Sequence, residues 1–134
     1  MSMNDLAKEI HQNAVEHGWW DEPRSFGDIV SLCHSELSEA LEEYRAGRPR
    51  VWHACLAADE KIHCLKGGCG DWTAGACELD SIDEKPEGIA TEMADCIIRI
   101  LDWAGKEGLD MDAIIREKME YNRTRPYRHG GKVL

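Results

Sequence analysis

The chain has 134 residues, a length that suits one compact domain able to bury a core without disulfide staples. Its 26 acidic residues outnumber 16 Lys and Arg, and the formal net charge of −10 repels a phosphate backbone over most of the surface, so generic nucleic-acid binding is not expected. No run of about 18 apolar residues could span a membrane, and the polar start MSMNDLAKEIHQN lacks an apolar stretch of signal-peptide type, so the expectation is a cytoplasmic protein with no membrane partner.

Hydrophobic spacing predicts a first helix over about Asn4–His17, stopped by Gly18. A second starts near Ser25, where Ser25-Phe26-Gly27-Asp28 has the form of a capping box, and ends at Gly47-Arg48-Pro49. Its apolar stripe is Phe26, Val30, Cys33, Leu37, Leu41 and Tyr44. A third starts near Pro86, a good first-turn residue, carries Ile89, Met93, Cys96, Ile97, Ile100 and Ala104, and stops at Gly105 or Gly108. A fourth is capped by Asp110 or Asp112 and runs to about Arg123, before Pro126. Between Pro49 and Pro86 the periodicity breaks, and Gly67, Gly68, Gly70 and Gly75 sit among Cys, His and Trp. A short helix near Ala54–Cys64 fits there; the rest of 50–85 reads as a long irregular insertion. Strand signals are nearly absent. The expected fold class is all-α: one domain, 1–134, built as a four-helix bundle with this insertion between helices 2 and 3.

Two stretches share a pattern, Glu36-Leu37-Ser38-Glu39 and Glu92-Met93-Ala94-Asp95. Each puts two carboxylates at i and i+3, on one helix face. With the apolar stripes centred on Leu37 and Met93, both pairs fall on the same flank, so antiparallel packing brings four acids to the edge of the core. Four carboxylates in one cleft must take up protons or a cation. Oxygen donors of this kind suit Mg²⁺, with Mn²⁺ as substitute, and Mg²⁺ draws its remaining ligands from water and substrate phosphate. The bland alternative is a solvated acidic helix face. A ferritin-like di-iron centre needs Glu-x-x-His on two helices; this chain has one, Glu60-Lys61-Ile62-His63, in the irregular middle.

The charge is uneven. From Arg116 to Lys132 six Lys and Arg face two Glu. Lys118, Asn122 and Arg125, at i, i+4 and i+7, form a candidate phosphate clamp, against the alternative of a basic helix end answering the macrodipole. Trp19 or Trp20 could stack on a nucleobase, although core or interface packing is the simpler reading. His34 lies off the acid face and reads as a packing or surface residue. Cys33 and Cys96 read as small core residues, whereas Cys55, Cys64, Cys69 and Cys77 lie in the insertion with His53 and His63. Their intervals of nine, five and eight lack Cys-x-x-Cys knuckles, so Zn²⁺ there is a weaker reading than ordinary packing.

HSELSEALEEYR (34–45), PEGIATEMADCIIRILDWAG (86–105) and KMEYNRTRPYRHGGK (118–132) together resemble the MazG-like, all-α nucleoside triphosphate pyrophosphohydrolases. That pattern is Glu-x-x-Glu, then Glu-x-x-Asp, then a helix with Lys and Asn. The resemblance spans most of the chain except 50–85, and the 52 residues between the acid motifs (40–91) exceed what compact members carry. It implies Mg²⁺-dependent hydrolysis of an NTP or dNTP to the monophosphate and pyrophosphate. The implied metal ligands are Glu36, Glu39, Glu92 and Asp95. Glu39 or Glu42 would orient the attacking water or take its proton, with Glu43 as a further candidate, and Lys118, Asn122 and Arg125 would hold the leaving pyrophosphate. It also implies a homodimer or homotetramer. Two other functions stay open: a nucleotide-binding or regulatory module of this fold without turnover, and a helical interaction protein whose Cys-rich insertion binds a partner or zinc.

Overall fold

The computed structural model describes residues 1–54, 63–64 and 85–133. Among these the chain is all-α apart from one minimal ladder. Its main helices are α1 (Met3–Glu16), α2 (Phe26–Arg45), α3 (Ile89–Glu107) and α4 (Met111–Thr124). A final turn, α5 (Arg128–Gly131), is broken by left-handed backbone at His129 and Gly130. No helix among the described residues is long and apolar enough to cross a membrane.

Helix starts follow their side-chain caps. Ser25 accepts from the Asp28 amide while Asp28 accepts from the Ser25 amide, the reciprocal box read in the sequence, and Ser2 with Asp5 repeats it at α1. α3 begins at Ile89, three residues later than Pro86 suggests. The reason is local pairing: Trp52 and Glu87 exchange backbone hydrogen bonds of 2.9 Å, and the Ala90 amide donates to the Arg50 carbonyl. Gly88 crosses this junction with φ of +109°, where a Cβ would lie 2.6 Å from the Arg50 carbonyl oxygen. Only glycine fits there.

The stretch expected as a short helix near Ala54–Cys64 is extended at both ends. β1 (His53–Ala54) pairs antiparallel with β2 (His63–Cys64), His53 opposite Cys64 and Ala54 opposite His63. The chain enters β1 already extended, because Trp52 is bridged to Glu87. Residues 55–62 and 65–84, with Glu60, Cys55, Cys69 and Cys77, lie outside the described residues, as does the expectation that this insertion is irregular or binds zinc.

Two compact units partition the chain, and α3 contributes Ile89–Ile100 to one and Leu101–Glu107 to the other. The unit made by residues 1–23 and 101 onward is tied by acids. Asp110 caps α4 through the Ala113 amide, settling the choice between Asp110 and Asp112. Asp112 instead accepts from the amides of Met3 and Asn4 in the first turn of α1, and Asn4 returns the favour to the Asp112 amide and to Asp110. Each helix thus helps cap the other. Gly105 lies inside α3, and a Cβ there would meet the Ala7 carbonyl at 2.5 Å; it permits close helix contact rather than ending the helix. Asp102 is held by His11 Nδ1 at 2.7 Å and by Trp20 Nε1 at 2.9 Å. The second unit, Arg24–Ile100, holds α2, the start of α3 and the acid motifs.

Candidate metal centre

α2 turns a different face inward from the one its apolar pattern marks. Ile29, Glu36 and Ala40 are buried, with Cys33 half-buried beside them. Phe26, Val30, Leu37, Leu41 and Tyr44 are exposed, Leu37 by 43 % and Tyr44 by 70 %. On a wheel of ~100° per residue the buried line lies roughly a quarter turn from the apolar stripe. α3 repeats this: Glu92 and Cys96 are buried, while Met93, Ile97 and Ile100 are exposed. The expectation that Leu37 and Met93 centre the core is therefore corrected. α2 and α3 meet through Cys33 and Cys96 and through the acids, and the larger apolar side chains stay outside.

That rotation carries the acids inward. Carboxylate oxygens of Glu36, Glu39 and Glu92 all lie within 4.8 Å of one another. Glu36 is 6 % exposed and Glu92 8 %, while Glu39 sits on the exposed rim, where it accepts from Ser35 Oγ at 3.4 Å. Asp95 is not in this group of three. It is half-buried, within electrostatic reach of Glu36, Glu92 and Arg99.

The electrostatics are those of uncompensated crowding. Burial pushes the Glu92 carboxyl up from 4.5 to about 6, reinforced by Glu39, Asp95, Glu36 and Glu87. Burial and Glu36 also raise Asp95, against a downward pull from Arg99 and Lys85. Arg99 donates from Nε to Glu36 Oε1 at 2.5 Å. Among the described residues no hydrogen bond or ion pair reaches the Glu92 carboxylate. A buried carboxylate in that state is expensive unless a cation meets it.

The donor set is all carboxylate oxygen, which is the chemistry of a hard divalent ion rather than of zinc or copper. Opposite vertices of a Mg²⁺ octahedron are about 4.2 Å apart at ~2.1 Å per bond. Neighbouring vertices are only about 3.0 Å apart, so three oxygens gathered within 4.8 Å would draw together by about an ångström or more to share an ion. The donor types fit the metal.

Other candidates fall elsewhere. Glu42 is exposed and paired with Arg45 at 2.6 Å, outside the carboxylate group. Glu43 points to structure: it accepts from Trp52 Nε1 at 2.8 Å and Arg48 at 2.7 Å. His34 is exposed, as expected. In the other unit Lys118 and Asn122 lie exposed on α4, with Lys118 Nζ 5.0 Å from the centre of the Tyr121 ring. Arg125 does not share their helix face. α4 ends at Thr124 and Arg125 is extended, at φ −74° and ψ 145°, as Pro126 demands of the residue before it. Trp20 is committed to Asp102 and carries Lys106 over its ring, while Trp19 is exposed.

Arg99 is the residue the sequence reading missed. It stands four residues after Asp95 and seven after Glu92, so helical spacing alone puts it on the acid face. No protein family, curated protein or solved structure matches the chain.

Proposed function

We propose that this chain is a Mg²⁺-dependent nucleotide pyrophosphohydrolase, cleaving an NTP or dNTP to the monophosphate and pyrophosphate on a four-helix bundle of the MazG-like all-α type. The observation that carries the reading is Glu92: a buried carboxylate without a hydrogen-bond or ion-pair partner among the described residues, aimed at Glu36 and Glu39. The order of acids, Lys and Asn along the chain, which resembles the MazG-like pattern, supplies the reaction.

Glu36 and Glu92 would hold the ion from inside, Glu39 from the rim, and Asp95 would complete the set. When bound, Mg²⁺ neutralises phosphate oxygens and makes a coordinated water more acidic. Glu39 is the better proton acceptor of the two sequence candidates, because it belongs to the carboxylate group and Glu42 does not. The resemblance assigns the departing pyrophosphate to Lys118, Asn122 and Arg125, of which Arg125 lies on extended backbone past the end of α4. The exposed apolar side chains of α2 and α3 support the expectation of a homodimer or homotetramer, since a second copy would remove them from water.

A pyrophosphate-release screen over the NTPs and dNTPs tests the reaction. At least one nucleotide should release pyrophosphate with Mg²⁺ and none should with excess EDTA. A Mg²⁺-dependent rise in melting temperature with nucleotide, but without release, would replace the enzyme by a silent nucleotide-binding module. Absence of both would remove nucleotide as the ligand.

A further inference from the structure

The three carboxylates that gather most closely are Glu36, Glu39 and Glu92, and Arg99 stands against one of them. Its guanidinium is bound to Glu36 through Nε, and it lowers the Asp95 carboxyl against the burial that raises it. Among the described residues no hydrogen bond or ion pair reaches the carboxylate of Glu92, which shares the group with Glu36 and Glu39. Glu36 thus belongs to two sets at once. One of its oxygens answers Arg99, and it shares the three-carboxylate group with Glu39 and Glu92.

A monovalent guanidinium and a divalent ion compete for the same negative field. Arg99 has a place to go: its side chain is 33 % exposed, whereas the Glu36 side chain is 8 % exposed. Guanidinium is also the side chain best matched to phosphate oxygens, through paired N–H donors. A cation that leaves a carboxylate as a metal arrives, and that reaches solvent, stands ready for the anion that accompanies the metal.

We propose that Arg99 is an exchangeable counter-cation of this centre: it neutralises Glu36 before a divalent ion binds, and is transferred to a phosphate oxygen of the ligand once the ion is in place. This rests on the metal-centre reading above. It makes Arg99 a ligand-binding residue and gives the site an order, metal first and polyphosphate second.

The test uses Mn²⁺ alone and then inorganic pyrophosphate, with free Mn²⁺ followed by electron paramagnetic resonance and pyrophosphate binding by calorimetry. Arg99→Gln keeps a donor toward Glu36 but removes the charge; Arg99→Lys keeps the charge. The folded Arg99→Gln protein should bind Mn²⁺ at least fivefold more tightly than wild type, and its Mn²⁺-loaded form should bind pyrophosphate at least fivefold more weakly. Arg99→Lys should stay within about twofold of wild type for Mn²⁺. Arg99→Met repeats the measurement if the amide variant does not fold. Unchanged or weaker Mn²⁺ binding on loss of the charge overturns the proposal and makes Arg99 a prop for Glu36, leaving the metal centre intact. No Mn²⁺ binding by wild type overturns the metal-centre reading, and the Arg99 proposal with it.

Discussion

The two units use the same side chains to opposite ends. In the unit of α1 and α4, acids are surrounded by donors: Asp5 and Asp110 sit below the usual carboxylate range because Ser2 and Asn4, with backbone amides, hydrogen-bond them. Asp102 takes an indole and an imidazole, and Asp112 takes two backbone amides. In the unit of α2, the cluster around Glu92 sets acids beside acids, and burial with mutual repulsion drives Glu92 and Asp95 upward. One set holds helices in place. The other costs stability, a cost that the proposed metal ion would offset.

The contrast can be broken most severely at Glu92. Glu92→Gln removes one metal donor while keeping its shape, and should lower Mg²⁺-dependent pyrophosphate release by about two orders of magnitude or more with the helical circular dichroism unchanged. Turnover at the wild-type rate would show that Glu92 has no part in the chemistry.

Asp102 should behave in the opposite way. Asp102→Ala strips the partner from Trp20 and His11, both partly buried, and should cost about 2–3 kcal/mol in urea unfolding. Because Asp102 serves structure, metal affinity in the folded variant should be unchanged. A shift in Mn²⁺ binding without loss of stability would blur the distinction between the units.

The smallest effect is the most diagnostic, because its sign is unusual. The folded-state pKa of Glu92 is about 6 against an ordinary 4.5, so the folded metal-free protein binds the extra proton between those values. Stability therefore falls as pH rises through that window, by about 2 kcal/mol at ~1.4 kcal/mol per unit. Glu92→Gln should accordingly stabilise the metal-free protein at pH 7 by about that amount and gain little at pH 4.5, read as the difference in unfolding midpoint. A destabilised variant at pH 7 would mean that Glu92 has a favourable partner.

Much of this was legible in the chain, and the omissions have physical causes. Ser25 and Asp28 announced a capping box because its chemistry is local, and the fourth helix had two marked acids of which the structure selects Asp110. The acids at 36, 39 and 92 were legible from i, i+3 spacing. The inward face of α2 was not. Hydrophobic periodicity marks where large apolar side chains lie, and here they lie outside, while the core face is drawn by Ile29, Ala40 and Glu36. A pattern that assumes acids point outward places the stripe where a carboxylate cluster should be. Arg99 was missed for a related reason, since a cation on an apolar helix reads as surface until its acid partner on another helix is known. Arg125 was misplaced because helical spacing was carried one residue past Thr124, against the restriction imposed by Pro126.

The mutual capping of α1 and α4 bears on the order in which this protein acquires its structure. Asn4 and Asp112 are 108 residues apart, yet the first turn of α1 depends on that contact for two of its amides. A chain leaving the ribosome presents α1 long before Asp112 exists, so that helix waits with only its own Ser2–Asp5 box. Such a distant closure is slow to find and comes late. The segment carrying Glu36 and Glu92 is synthesised in between, so its carboxylates can meet while the α1–α4 pair is still incomplete.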